Sequence, residues 1–275
     1  MRIPPCFLFT LIFILSSCSF QNMAQTTPVN DEKYDISLKT KLVETDNIQR
    51  IYIVTSDNTI IHYDKNNVEL FRYSNRRRGN ISDVNVSNPI KVLLYFRDFG
   101  NVVLLDNTLA PIQEFSLSEL GYSDISAVGV SNDDGFWIYD PLRFRLRKIL
   151  NNGQILFESA NLIDYGIYSP LIFKIIENGN KVILADTNKG FYVFDNFGQF
   201  LRYIPVDNIV SFQFDGRYIT FFNGKKMMYL STEDPLSGPL LLFDPNEKNQ
   251  VSDVKISNSE YIFVYPNGIK RMGKK

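Results

Sequence analysis

The chain has 275 residues, with 29 Lys+Arg against 30 Asp+Glu and a formal net charge of −1. That balance leaves no global basic field of the kind that holds nucleic acid. One histidine and two cysteines supply too few ligands for a zinc, haem or iron–sulfur centre, so no metal or cofactor is expected.

The first residues read as an export signal. Arg2 is the only charge before Asp31, and residues 7–15 (FLFTLIFIL) form an apolar run too short to cross a bilayer of ~30 Å as a helix. Small residues follow. Leu15-Ser16-Ser17-Cys18 resembles the lipobox of bacterial lipoproteins, which implies that residues 1–17 are a signal peptide and that Cys18 becomes the lipidated first residue of the mature chain. Cysteine usage agrees, because only Cys6 and Cys18 exist and both precede the folded part, so Cys18 has no disulfide partner there. Several acyl chains on one residue would anchor firmly at ~0.8 kcal/mol per buried CH₂. Residues 18–33 are polar and read as a tether; the stretch 19–33 reaches roughly 50 Å when fully extended.

From Tyr34 to Lys275 the pattern is that of one all-β domain. Aromatics make up 14% of the chain, and short apolar runs such as 91–96 (KVLLYF), 181–185 (KVILA) and 218–222 (YITFF) suit strands buried on both faces. Groups of four strands follow one another. The first is expected at 40–44, 51–55, 59–63 and 68–73, and the second at 83–87, 91–96, 101–105 and 112–117. The third is expected at 124–131, 135–139, 144–150 and 154–159. The fourth falls at 171–176, 181–185, 190–194 and 199–204, and the fifth at 209–214, 218–222, 226–230 and 239–243. A sixth group has only three strands, at 254–257, 261–265 and 268–272. Residues 34–38 are expected to supply its fourth and so close a ring.

Two periodicities support the grouping. Asp83 to Asn88 (DVNVSN), the segment 124–132 and Asp253 to Asn258 (DVKISN) are variants of one phrase, with closing asparagines 44 and then 126 residues apart. The position after the third strand recurs as Asp64, Asp106, Asn151 and Asp195, at steps of 42, 45 and 44. A period of about 40–45 residues built of short strands is the signature of a β-propeller. The pattern resembles the six-bladed propellers of the NHL and TolB-like type, particularly their bacterial lipoprotein forms. In export and anchoring it also looks like the propeller lipoprotein of the outer-membrane barrel-assembly machinery. The resemblance implies a protein-binding scaffold at the cell envelope, anchored to the outer membrane through Cys18. It carries no catalytic motif.

Candidate chemistry is sparse. No G-x-S-x-G, Walker A or H-E-x-x-H motif is present, and His62 is expected as a half-buried sheet residue. Asp83, Asp124 and Asp253 are each expected to open an innermost strand, which would set them around one mouth of the central channel. There they could bind a glycan, hold Ca²⁺ or do paired acid–base work, or they could simply accept backbone hydrogen bonds. Arg76-Arg77-Arg78 links the first two blades on the same face and could meet an acidic glycan, a lipid headgroup or a partner's carboxylates. Asn132-Asp133-Asp134-Gly135 reads as a hairpin turn. The leading expectation is a non-enzymatic, lipid-anchored scaffold; the rival is a glycan-binding protein or a carboxylate-dependent carbohydrate-active enzyme.

Overall fold

A computed structural model describes residues 34–234, 237–245, 251–257 and 260–274. The expected signal peptide, the expected tether and Cys18 lie outside the described residues. Within them the chain forms six four-stranded antiparallel sheets. The first blade is β2 (Thr40–Thr45), β3 (Ile51–Thr55), β4 (Thr59–Tyr63) and β5 (Glu69–Ser74). The second is β6 (Asp83–Asn88), β7 (Lys91–Phe96), β8 (Asn101–Leu105) and β9 (Pro111–Ser116). The third is β10 (Ala127–Val130), β11 (Phe136–Asp140), β12 (Arg145–Ile149) and β13 (Ile155–Glu158). The fourth is β14 (Ile172–Asn178), β15 (Lys181–Asp186), β16 (Gly190–Asp195) and β17 (Phe200–Pro205). The fifth is β18 (Ser211–Phe214), β19 (Tyr218–Phe222), β20 (Met227–Ser231) and β21 (Leu240–Phe243).

The sixth blade joins the two ends of the domain. Its strands β22 (Asp253–Ser257), β23 (Glu260–Tyr265) and β24 (Gly268–Gly273) take β1 (Ile36–Ser37) as the fourth. Ile36 pairs with Ile269. Asp35 N–H donates to Ile269 O at 3.0 Å, and Thr40 N–H donates to Pro266 O at 3.0 Å. Gly268 makes this possible, since a Cβ there would lie 2.4 Å from Ile36 O and 2.7 Å from Tyr34 Cγ.

Six apolar clusters hold the ring, one at each blade junction. Tyr52 and Ile60 pack on Val84 and Leu94, and Leu93 and Tyr95 on Val128 and Ile138. Trp137 and Tyr139 meet Leu184 and Tyr192, and Phe191 meets Phe212 and Phe221. Met227 packs on Val254 and Phe263, and Ile53 on Ile262 and Val264 of the last blade. This explains why the inner strands are apolar on both faces: β3 and β11 are buried at every residue, because each blade is sandwiched between two others.

The recurrent aspartate is a turn device. Asp64 Oδ1 accepts from the backbone N–H groups of Asn66 and Val68, both at 2.8 Å. Asp106 and Asp195 repeat the bonding to the residues two and four positions on. Each turn then passes a residue of left-handed conformation, Asn67, Leu109 or Gly198. The segment 132–135 is also a turn, with Asp133 Oδ1 accepting from Gly135 N–H.

Most strand ends lie within one or two residues of expectation, and one strand differs more. β10 begins at Ala127, three residues after Asp124, which is exposed at φ 58°. The preceding carbonyls are taken by side chains of the second blade: Tyr95 OH donates to Ile125 O at 2.6 Å, and Arg97 donates to Ser126 O. Those acceptors are engaged away from the ladder, so the strand starts later.

Candidate site at the mouth of the central channel

The innermost strand of every blade carries one residue that breaks an apolar run. These are Glu44, Asn85, Gly129, Lys174, Gln213 and Lys255, each between apolar neighbours except for Thr45. The apolar neighbours pack against the blade junctions, several of them still edging the channel, and the odd residue is left for the axis.

Three of them form an ion network with two aspartates. Lys174 Nζ lies 2.6 Å from Glu44 Oε1 and 2.9 Å from Asp83 Oδ1, and donates to Val84 O at 2.9 Å. Its three N–H bonds are thereby used. Lys255 Nζ lies 3.3 Å from the same Glu44 oxygen and 3.2 Å from Asp253 Oδ2. Burial would lower the Lys174 pKa, but Asp83 and Glu44 outweigh it and raise it. Burial would raise the Glu44 pKa, but Lys174 and Lys255 hold it below the ordinary carboxylate value. Asp83 goes the other way, because burial raises it and Glu44 adds to that against the pull of Lys174. Glu44 thus carries the firmly held negative charge.

The amides stitch the strands together. Gln213 Nε2 donates to Thr45 Oγ1 and to Ile256 O, both at 2.9 Å, and its Oε1 accepts from Ile256 N–H. Asn178 Nδ2 donates to Phe214 O. Asn85 Nδ2 reaches past the third blade to Ile175 O at 3.0 Å. Gly129 permits that crossing, since a Cβ there would stand 2.8 Å from the same carbonyl oxygen. The channel is therefore off-centre, pinched beside the third blade.

What remains open is a cavity of about 570 Å³ at the end where the innermost strands terminate, walled by the first, second, fourth, fifth and sixth blades. Glu44 and Lys174 form its floor; Val84, Val86, Ile176, Phe214 and Ile256 form an apolar collar; Asn47, Asp215 and Lys274 stand on the rim. This volume falls within the ~300–1,000 Å³ range of small-molecule sites.

The residues singled out from sequence are distributed differently. Asp83 and Asp253 open β6 and β22 as expected, so they belong to the opposite end of the channel from the cavity, and both are tied to lysines. Asp124 stands apart from them, exposed ahead of its strand. Arg76–Arg78 form a 3₁₀ turn capped by Asn75; Arg78 pairs with Glu114 of β9, while Arg76 and Arg77 are exposed. His62 is 1% exposed rather than half-buried, and its ring stacks on Tyr52 at 4.7 Å. Sequence reasoning missed Glu44, Lys174 and Lys255. The signal available was a lysine or glutamate within an apolar strand, recurring at the blade spacing.

No protein-family model matches the chain, and no curated protein matches it. Solved structures do. A virginiamycin B lyase from Staphylococcus aureus aligns over 86% of this chain and 81% of its own at 12% identity, with a TM-score of 0.55. The WD40 domain of Neurospora crassa Pan2 aligns over 90% and 82% at 9% identity, with a TM-score of 0.55. BamB from Moraxella catarrhalis aligns over 81% of this chain at 18% identity and a TM-score of 0.44; the match spans 66% of BamB, just under two thirds of its length. At these identities the likeness shows the propeller fold alone. An enzyme and a WD40 domain share it, so the fold does not select a function. A variant of the lyase with one histidine replaced by alanine is catalytically inactive. The single histidine of the present chain is buried between the rings of Tyr52 and Phe71.

Proposed function

We propose that this protein is an exported, lipid-anchored propeller that acts as a non-enzymatic binding scaffold at the bacterial cell envelope, with its partner engaging the cavity at the channel mouth. The observation that carries this reading is the state of the axial charges. Asp83, Asp253 and Glu44 are all held by Lys174 or Lys255, so none of these three is free to serve in an acid–base pair. A preformed concave mouth on a rigid ring is suited to binding. Cys18 supplies the anchor to the membrane, and the outer membrane is the expected location.

The rival reading is a glycan ligand. The mixture of Phe214 with the polar Asn178 and Thr220 in the cavity wall favours it, and so do the exposed Arg76, Arg77 and Asp124 on the other face. Metabolic labelling with a fatty-acid analogue should mark the wild type and leave Cys18→Ser unlabelled. Pull-down with the anchored protein should recover a stoichiometric protein partner, lost when Asn47→Trp obstructs the rim. Recovery that is indifferent to Asn47→Trp removes the mouth from the account. Retention of the protein on a glycan array, with loss in Asp124→Asn or Arg77→Ala, decides for the rival.

A further inference from the structure

We propose that the face opposite the mouth lies against a lipid bilayer, with Leu142, Tyr168, Leu171 and Val210 dipping into the boundary between headgroups and acyl chains. The inference rests on the lipid-anchor reading and gives the anchored domain an orientation.

These four side chains share one end of the ring. Leu142 is on the turn between β11 and β12, Tyr168 and Leu171 end the connection from β13 to β14, and Val210 immediately precedes β18. All three segments lie where the innermost strands begin, away from the cavity. They are also tied to one another. Leu162 N–H donates to Phe144 O at 2.9 Å, Thr187 N–H to Leu171 O at 3.4 Å and Ile209 N–H to Thr187 O at 3.0 Å. Lys189 Nζ donates to Tyr168 O. The connections thus form one bonded platform that holds its apolar tips outward.

Exposure is the second feature. Leu142 is 59% exposed, Tyr168 63%, Leu171 62% and Val210 47%. Phe99, on the matching turn of the second blade, is also exposed. Single exposed apolar residues are ordinary, but several on one bonded platform mark a contact surface. A tyrosine among aliphatic tips, bordered by the exposed Arg143 and Lys189, suits a membrane–water boundary, where the ring sits at headgroup level and long cations reach the phosphates. Asp164 and Asp207 are exposed in the same connections, so this face has no strong basic field and the apolar side chains lead the contact.

The occupant follows from the chain that precedes the domain. Acyl chains on Cys18, joined to the ring by a tether of roughly 50 Å, would keep it beside a bilayer at high effective concentration. A few apolar side chains, too weak to recruit the domain alone, then suffice to orient it. The mouth faces away from the membrane, open to a partner.

The mouth face has its own exposed pair, Ile48 and Ile90, so the test compares the two faces directly. The full chain is expressed with its signal, its mass is measured for acyl groups, and it is inserted in phosphatidylcholine vesicles carrying brominated acyl chains. An environment-sensitive fluorophore (NBD) is placed on Leu171→Cys and, separately, on Asn47→Cys. Bromine should quench position 171 about threefold more strongly than position 47, with a blue-shifted emission at 171 only. Tyr168→Asp combined with Leu142→Asp, both at exposed positions, should abolish that difference and leave the melting temperature unchanged. Equal quenching at the two positions, stronger quenching at 47, or quenching at 171 indifferent to the two aspartates overturns the proposal. So does a protein adduct from a photo-crosslinker at 171 in cells, which would give this face to a protein. A chain found without acyl groups removes the anchor reading alone. A histidine tag in place of residues 1–18, on nickel-chelating lipid, then holds the domain at the surface, and the same comparison of 171 with 47 decides the orientation.

Discussion

The blade junctions and the axis of the ring solve the same problem in opposite ways. At the junctions, Trp137, Tyr139, Phe191 and Phe221 are buried among apolar partners contributed by both blades. At the axis the side chains are lysines, a glutamate and amides, with Lys174, Lys255 and Asn85 buried and Glu44 and Gln213 half-buried, each paired with a specific group. Junction packing stabilises in proportion to area and tolerates replacement by residues of like volume. A buried ion network contributes little net stability but punishes removal of one member, because the other charge remains desolvated. The junctions therefore keep the ring together. The axis fixes where the strands meet and leaves charged side chains lining the channel.

Breaking the axis should have the largest effect. Lys174→Met removes the ammonium that holds Glu44 and Asp83, and should cost about 3–5 kcal/mol in urea unfolding. Adding Glu44→Gln to it should recover part of the loss, since contacting residues are not additive. A Phe191→Ala junction variant should lose a similar amount by cavity formation, about 3–5 kcal/mol, but should add simply to Lys174→Met. Additivity in the Lys174/Glu44 pair would erase the distinction between the two regions.

Ring closure comes next. Gly268→Ala forces a Cβ against Ile36 O, and should cost about 1–3 kcal/mol and raise hydrogen exchange at 35–38 before any other segment. Wild-type exchange rates in that segment would mean that β1 does not seal the sixth blade.

A smaller effect comes from His62. Burial, and then the charge of Arg50, lower its pKa below the ordinary 6.5. The unfolded chain therefore binds the proton more readily than the folded one. The stability is whole above pH 6.5 and declines as the pH falls from there towards the folded value. Melting temperature measured from pH 8 to 5 should show this decline, and His62→Phe should reduce it. The smallest effect is expected for Asp106→Ala, which removes three turn hydrogen bonds at a half-buried position and should lower the melting temperature only slightly.

Much of the fold was legible because its determinants are local and repeat. β3, β4, β7, β8 and β19 occupy the expected ranges, since each is an apolar run ended by turn residues. Asp64, Asp106 and Asp195 marked the period because each turn needs the same acceptor. β10 was drawn too long because Tyr95 and Arg97, distant in sequence, claim the carbonyls before it. The site was less legible for a similar reason. Asp83 and Asp253 were visible as strand openers, but Lys174, which holds Asp83, sits on another blade, and Lys255, which holds Asp253, lies two residues on in a phrase read only for its repeats. Glu44 becomes notable only once the ring brings it within reach of both lysines.

The central claim is that the partner enters at the mouth where the innermost strands end. A photo-crosslinking residue placed at Asn47 on that rim, and separately at Arg77 on the opposite face, tests it directly in cells expressing the full-length protein. The account predicts a discrete adduct from position 47 and none from position 77; an adduct from 77 alone would contradict it.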